Sequence, residues 1–181
     1  TDYSEPHGHL AQLLRAARAS YLPLIARVNG ACMAGGMGLL SMCDMAVAST
    51  HCVFGLPEVK VGVFPAQVLS VLQHLIPRRV LVEMCITGEP ITSAQALQYG
   101  LVNHVDDDVD AKLQWLLDRL QDKSPAAIRR GLYTMKRAEA MLYAQAHALQ
   151  SIFMNLAMKA TKQEYLKQWE AHLRMAMKAQ N

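Results

Sequence analysis

Three glycines within four positions, Gly35, Gly36 and Gly38, stand between the apolar run Leu24-Ile25-Ala26-Arg27-Val28 and the apolar segment Leu39-Leu40-Ser41-Met42. The run before them predicts a strand over Tyr21–Val28, opened by Pro23 and nearly continuous in apolar residues, as in strands covered on both faces. Asn29-Gly30 predicts a turn, and the residues after it a small-residue loop that feeds a short helix opened by Gly35 and Gly36. Amides in the first turn of a helix lack intrahelical acceptors and lie at the positive end of its dipole. Where no side chain covers them, the oxygen of a bound carbonyl can approach directly, which is what an oxyanion-stabilising donor requires.

Other glycine motifs fit less well. Gly36-Met37-Gly38-Leu39-Leu40-Ser41 approaches the dinucleotide fingerprint G-x-G-x-x-G, with Glu58 20 residues beyond Gly38. Ser41 stands where the third small residue belongs, and a helix ending near Cys43 is too short for a crossover. No Lys-Ser or Lys-Thr follows the glycines, which excludes a P-loop, and no G-x-S-x-G elbow is present. Close helix–strand packing explains one or two of the glycines but not the adjacent pair at the helix start.

Along the rest of the chain, Leu10, Leu13, Leu14 and Ala17 recur at helical spacing, and Asp44–Ser49 reads as a strand. Between Cys52 and Pro65 the pattern predicts a short strand, a bend at Leu56-Pro57 and a second extended piece. Helices are expected over Val68–Leu75 and Arg79–Cys85, around Pro77, and over Thr92–Tyr99, with Thr92 or Ser93 as N-cap and Gly100 as stop. Leu101–Val105 reads as a last strand, Asp106-Asp107-Asp108 as the acidic start of a helix running to about Gln121, and Ser124-Pro125 as the cap of another. From there to Lys178 the sequence is almost wholly helical, with breaks expected near Tyr143 and Thr161. The division expected is a βα-alternating unit over 1–122 and a helical region over 123–181.

Composition narrows the function classes. Charged residues are 18% of the 181 and hydrophobic residues 52%, against roughly 25% charged in an ordinary soluble domain. A disordered chain is excluded. A net charge of +3, spread without a basic block, gives no nucleic-acid footprint, and no uncharged apolar stretch approaches the roughly 20 residues of a membrane span. The four cysteines, Cys32, Cys43, Cys52 and Cys85, show no C-x-x-C spacing and read as buried thiols of a reducing compartment. No metal site is expected, and the histidines have no ligand-like spacing.

Four blocks in order then point to a family: Pro23–Asp44 (PLIARVNGACMAGGMGLLSMCD), Phe54-Gly55-Leu56-Pro57-Glu58, Gly62-Val63-Phe64-Pro65, and Thr87–Asn103 (TGEPITSAQALQYGLVN). Together they resemble the enoyl-CoA hydratase/isomerase (crotonase) superfamily, collinearly over about Pro23 to Val105 and more weakly beyond. The resemblance implies an α/β fold, a crotonase-like spiral of ββα units whose first strands this sequence lacks, with a C-terminal helical region used in trimerisation. It also implies an acyl-CoA thioester as substrate, coenzyme A being part of that substrate and no separate cofactor being needed. A homotrimer or homohexamer is expected, in the bacterial cytoplasm or the mitochondrial matrix.

For the site, the resemblance implies two backbone N–H donors on the thioester oxygen. The second maps onto Gly35; the first belongs to an upstream segment of Ala-Gly-x-Asp type that this sequence does not contain. Family hydratases hold a water between two glutamates, of which the first aligns with Gly38 and is absent, while the second aligns with Glu58. A single carboxylate suffices to move a proton between C2 and C4 across a dienolate, so the expected activity is isomerase-like, with Glu58 as the one general acid/base. A hydratase converting a 2-enoyl-CoA to a 3-hydroxyacyl-CoA is the alternative, and a catalytically reduced acyl-CoA binding or scaffold protein is a further one, suggested by Gly38 and by Gln67-Val68-Leu69, where the family commonly has glycines. Against catalysis, Glu58 also reads as an ordinary surface carboxylate or an ion-pair partner of Lys60. Phe64, Pro65 and Leu69 are candidates for the acyl pocket, and Lys167, Arg174 and Lys178 for the CoA phosphates.

Overall fold

The computed structural model describes residues 9–138. In chain order they form α1 (His9–Ala19), β1 (Ile25–Val28), β2 (Cys32–Met33), α2 (Gly35–Ser41), β3 (Met45–Ser49), β4 (Val53–Gly55), a 3₁₀ helix (Pro57–Val61), α3 (Ala66–Leu72), α4 (Arg78–Thr87), β5 (Ile91–Thr92), α5 (Ser93–Gln98), β6 (His104–Asp106) and α6 (Val109–Asp118). A last helix, α7, occupies 125–138. Two small sheets result. One has the order β1-β3-β6 and is parallel throughout; the other has the order β2-β4-β5, parallel between β2 and β4 and antiparallel between β4 and β5.

Several elements begin later than their apolar patterns suggest, because side chains take over the first rungs of the ladder. Pro23 offers no N–H, and at Leu24 the amide donates to the Asp44 carboxylate (2.8 Å) while its carbonyl accepts from the Asp44 amide (2.7 Å), so β1 starts only at Ile25. In the same way Asn103 Oδ1 accepts from the Ala46 amide (2.8 Å) and the Asn103 amide donates to the Ala46 carbonyl (2.9 Å), so β6 starts at His104 rather than Leu101. The covering of β1 also differs from expectation. It lies at the sheet edge and is half-buried, with Arg27 exposed and paired to Asp110 of α6 (Nη2 to Oδ2, 2.7 Å). After Pro57 the chain coils into the 3₁₀ helix instead of extending. Pro57 presets a helical φ, and Gly62, at φ 79°, ends the turn with its amide on the Val59 carbonyl (3.1 Å).

Other termini follow the sequence. Thr92 caps α5 in a reciprocal box, its hydroxyl accepting from the Gln95 amide (3.3 Å) while Gln95 Oε1 accepts from the Thr92 amide (2.9 Å), and Gly100 takes φ 82° just past the helix. Asp108 caps α6 through the Ala111 amide (2.9 Å). The main core gathers Met37, Leu40, Phe54, Val68, Leu72, Met84 and Cys85 from α2, α3, α4 and the second sheet, with Leu56 from the link between β4 and the 3₁₀ helix, while Val47 packs with Val109 and Leu116 where α6 covers the first. No helix among the described residues is long and apolar enough to cross a membrane.

Candidate active site

The start of α2 is shaped by one strained residue. Ala34 has φ 51° and ψ −120°, and it alone among the described non-glycine residues has positive φ. Its amide donates to the Gly55 carbonyl (2.9 Å) and its carbonyl accepts from Met37 (2.9 Å), so the turn is held from both sides. Gly55 suits this close approach: a Cβ there would displace the flexible end of Met33 (Cε at 2.7 Å) and press on the Pro90 backbone (Cα at 3.3 Å). The turn directs the chain from β2 into α2 within one residue and leaves the Gly35 and Gly36 amides at the open helix start. Strain of this kind costs about 1–3 kcal/mol and tends to collect where a backbone group must be aimed. Ala34→Gly should therefore raise stability by about 1 kcal/mol, the relief of strain outweighing glycine's greater unfolded-state freedom. Urea unfolding reads this directly, and an unchanged or lower midpoint would show that Ala34 is not strained.

Glu58 is the second residue of the 3₁₀ helix and is half-buried. Its Oε2 is buried and makes no hydrogen bond among the described residues. The ion pair with Lys60 does not form; Lys60 Nζ instead meets Glu89 Oε1 (2.9 Å). The 3₁₀ helix packs on α4, where burial, and after it the negative charge of Glu58, push the Cys85 thiol up to about 11. Cys32 is likewise raised to about 11, by burial first and then by Cys52 and Cys43. A thiol whose folded pKa exceeds its unfolded value contributes stability below the unfolded pKa, near 9, and this contribution is lost as pH rises through about 11. At pH 8 the thiolate fraction of Cys32 and Cys85 is roughly a hundredfold below that of an ordinary cysteine. Iodoacetamide at pH 8 should accordingly label both about a hundredfold more slowly in the native protein than in urea, read by peptide mass spectrometry; equal rates would contradict it.

Gly38 is buried one turn along α2. A Cβ on it would lie 3.0 Å from Val68 Cγ1 and 3.8 Å from Val68 Cβ, and Val68 on α3 is 2% exposed. Of the other candidates, Phe64 is 44% exposed, Pro65 is buried at the N-cap of α3, and Leu69 is half-buried against the main core. Val61 ends the 3₁₀ helix that carries Glu58 and Val63 follows it, 79% and 55% exposed. Lys167, Arg174 and Lys178 lie outside the described residues, as do the helix breaks expected near Tyr143 and Thr161.

A cavity on the other side of α2's first turn lies apart from these residues. It measures about 330 Å³, is lined by Val28, Cys32, Gly36, Leu39, Leu40 and Cys43 among others, and includes neither Gly35 nor Glu58. No group of His, Cys, Asp or Glu among the described residues is placed to hold a metal ion. Two participants escaped the sequence reading: Ala34, whose backbone alone is unusual, and Val68, whose departure from glycine was visible but whose contact with Gly38 was not.

The family model described as enoyl-CoA hydratase/isomerase matches residues 1–179. The chain is 36% identical over 153 residues to the enoyl-CoA hydratase domain-containing protein 3, mitochondrial, of Xenopus laevis, covering 82% of this chain and 52% of that protein. Among solved structures it resembles an enoyl-CoA hydratase from Mycobacterium avium (TM-score 0.72, 31% identity, 78% of this chain and 57% of that one). It also resembles the human enoyl-CoA hydratase domain-containing protein 3 (TM-score 0.68, 30% identity, 77% and 58%). The chain thus spans little more than half the length of these relatives.

Proposed function

Because the chain belongs to the enoyl-CoA hydratase/isomerase family and has the crotonase fold, we propose that it moves a proton within an enoyl-CoA thioester, with Glu58 as its single general acid/base. The observation that carries this reading is the buried Glu58 Oε2, without a hydrogen-bond partner among the described residues while its nearest basic neighbour in sequence, Lys60, is engaged by Glu89. A buried acceptor left open is costly in a folded protein, and a substrate C–H that becomes acidic beside a thioester carbonyl is a partner that would use it.

In this reading the thioester oxygen sits on the Gly35 amide. Charge grows on that oxygen as the C2 proton leaves, and one pre-aimed donor contributes roughly 3–4 kcal/mol to that state. Glu58 takes the proton from C2, the 3,4 double bond shifts to 2,3 through the dienolate, and Glu58 returns a proton at C4. Phe64 and Leu69 line the acyl chain and Pro65 fixes the start of α3 beneath it. Coenzyme A enters as part of the substrate, with Lys167, Arg174 and Lys178 toward its phosphates, and no separate cofactor takes part. The division at residue 122, with 123–181 serving a homotrimer or homohexamer, completes the proposal, and the word mitochondrial in the names of the vertebrate relatives supports a mitochondrial compartment.

A hydratase is the second reading, favoured by the name of the Mycobacterium avium relative. Parallel assays of the full-length protein decide between them: isomerisation of a 3-enoyl-CoA should exceed hydration of crotonyl-CoA. Fast hydration would favour the second reading, and tight CoA-ester binding without turnover of either would indicate a scaffold.

A further inference from the structure

Residue 38 shares a face of α2 with Gly35, three positions earlier. Helical Cα–Cβ bonds tilt toward the N-terminus, so a long side chain on residue 38 would lean over the first turn, toward the Gly35 amide. Val68 closes that route. Its Cγ1 would lie 3.0 Å from a Cβ on residue 38, a separation that requires the neighbour to yield. Val68 has little freedom to do so, being β-branched with one preferred rotamer in a helix, 2% exposed, and packed in the main core with Met37, Leu40 and Leu72.

We propose that Val68 is the specificity-determining residue of this site: it keeps position 38 free of a side chain and so restricts the site to one carboxylate and to proton transfer rather than water addition. The inference rests on the single-carboxylate reading of Glu58. Water addition breaks a water O–H bond, bonds its oxygen to C3 and places a proton on C2, so it needs a group that holds and activates the water. Proton transfer breaks C2–H and forms C4–H with no water bound. A valine methyl where a polar side chain would begin leaves the helix start apolar and disfavours a held water, whereas a smaller residue at 68 would make room for a carboxylate at 38.

Two experiments on the full-length protein test this. In urea unfolding, Gly38→Ala should lower the midpoint in the native background and leave it in place, or raise it, in a Val68→Ala background, since the added methyl then fills space that valine vacated. Equal shifts in both backgrounds would overturn the proposal, and this outcome does not depend on what Glu58 does. In turnover, the hydration-to-isomerisation ratio should rise at least about a hundredfold in Gly38→Glu/Val68→Ala relative to Val68→Ala, and stay within about threefold of native in Gly38→Glu alone. A similar rise in Gly38→Glu alone would show that Val68 exerts no control. If the Glu variants fail to fold, equal shifts in the paired alanine variants still overturn it. Loss of activity in Glu58→Gln is measured separately, so a failure of the Glu58 reading is distinguishable from a failure of the Gly38–Val68 coupling.

Discussion

Glu58→Gln should lower kcat for 3-enoyl-CoA isomerisation by roughly a hundred- to ten-thousand-fold, the range by which a positioned acid/base accelerates proton transfer. KM should change by less than about threefold, because the carboxylate meets the reacting C–H and not the CoA moiety. Glutamine preserves shape and one acceptor oxygen but cannot take up a proton. Folding should not suffer: among the described residues Glu58 forms no ion pair and its Oε2 makes no hydrogen bond, and removing its charge relieves the neighbouring Cys85. An equal or higher unfolding midpoint alongside the fall in kcat would separate chemistry from stability. A fall in both would assign Glu58 a structural role instead.

The largest stability effect is expected at Asp44, where three segments meet. Its carboxylate accepts from the Leu24 amide (2.8 Å) at the entry to β1, and Lys136 of α7 reaches it at 3.0 Å while also donating to the Ser20 carbonyl (3.2 Å). The two side chains are only 16% and 14% exposed, so solvent screens the pair weakly. Asp44→Ala strands the Lys136 cation and the Leu24 amide together. Breaking such a pair by removing one partner costs about 3 kcal/mol, the lower end for a pair that is not fully buried, which lowers Tm by roughly 6–12 °C for a chain of this size. Lys136→Met should cost about half as much, since Asp44 keeps the Leu24 amide and the methionine replaces the apolar stem. Thermal unfolding of both variants checks the order; a larger loss in Lys136→Met would contradict it.

What was legible in the sequence was mostly local. The helix start at Gly35, the N-cap at Thr92 or Ser93 and the stop at Gly100 rest on residues within a few positions of one another; the helix starts and stops there, with Thr92 as the cap. What escaped depends on distant partners. β1 begins late because Asp44, 20 residues further on, takes the bonds of Leu24, and β6 because Asn103 just before it meets Ala46, 57 residues back. The 3₁₀ helix after Pro57 was hidden because Val59, Val61 and Val63 alternate as a strand would, while Pro57 and Gly62 supply the dihedrals of a turn. At the site, Gly35 could be singled out by its place at a bare helix start, and Glu58 only through the family resemblance. The meaning of Gly38 could not, since it depends on Val68 across the packing of α2 on α3.

The central claim, one carboxylate shuttling a proton between C2 and C4, is tested most directly by deuterium exchange. A 2-enoyl-CoA incubated with the full-length protein in D₂O should take up deuterium at C4 without forming a 3-hydroxyacyl-CoA, and Glu58→Gln should abolish the uptake. Deuterium confined to C2 of a 3-hydroxyacyl product, or C4 exchange unchanged in Glu58→Gln, would contradict the account.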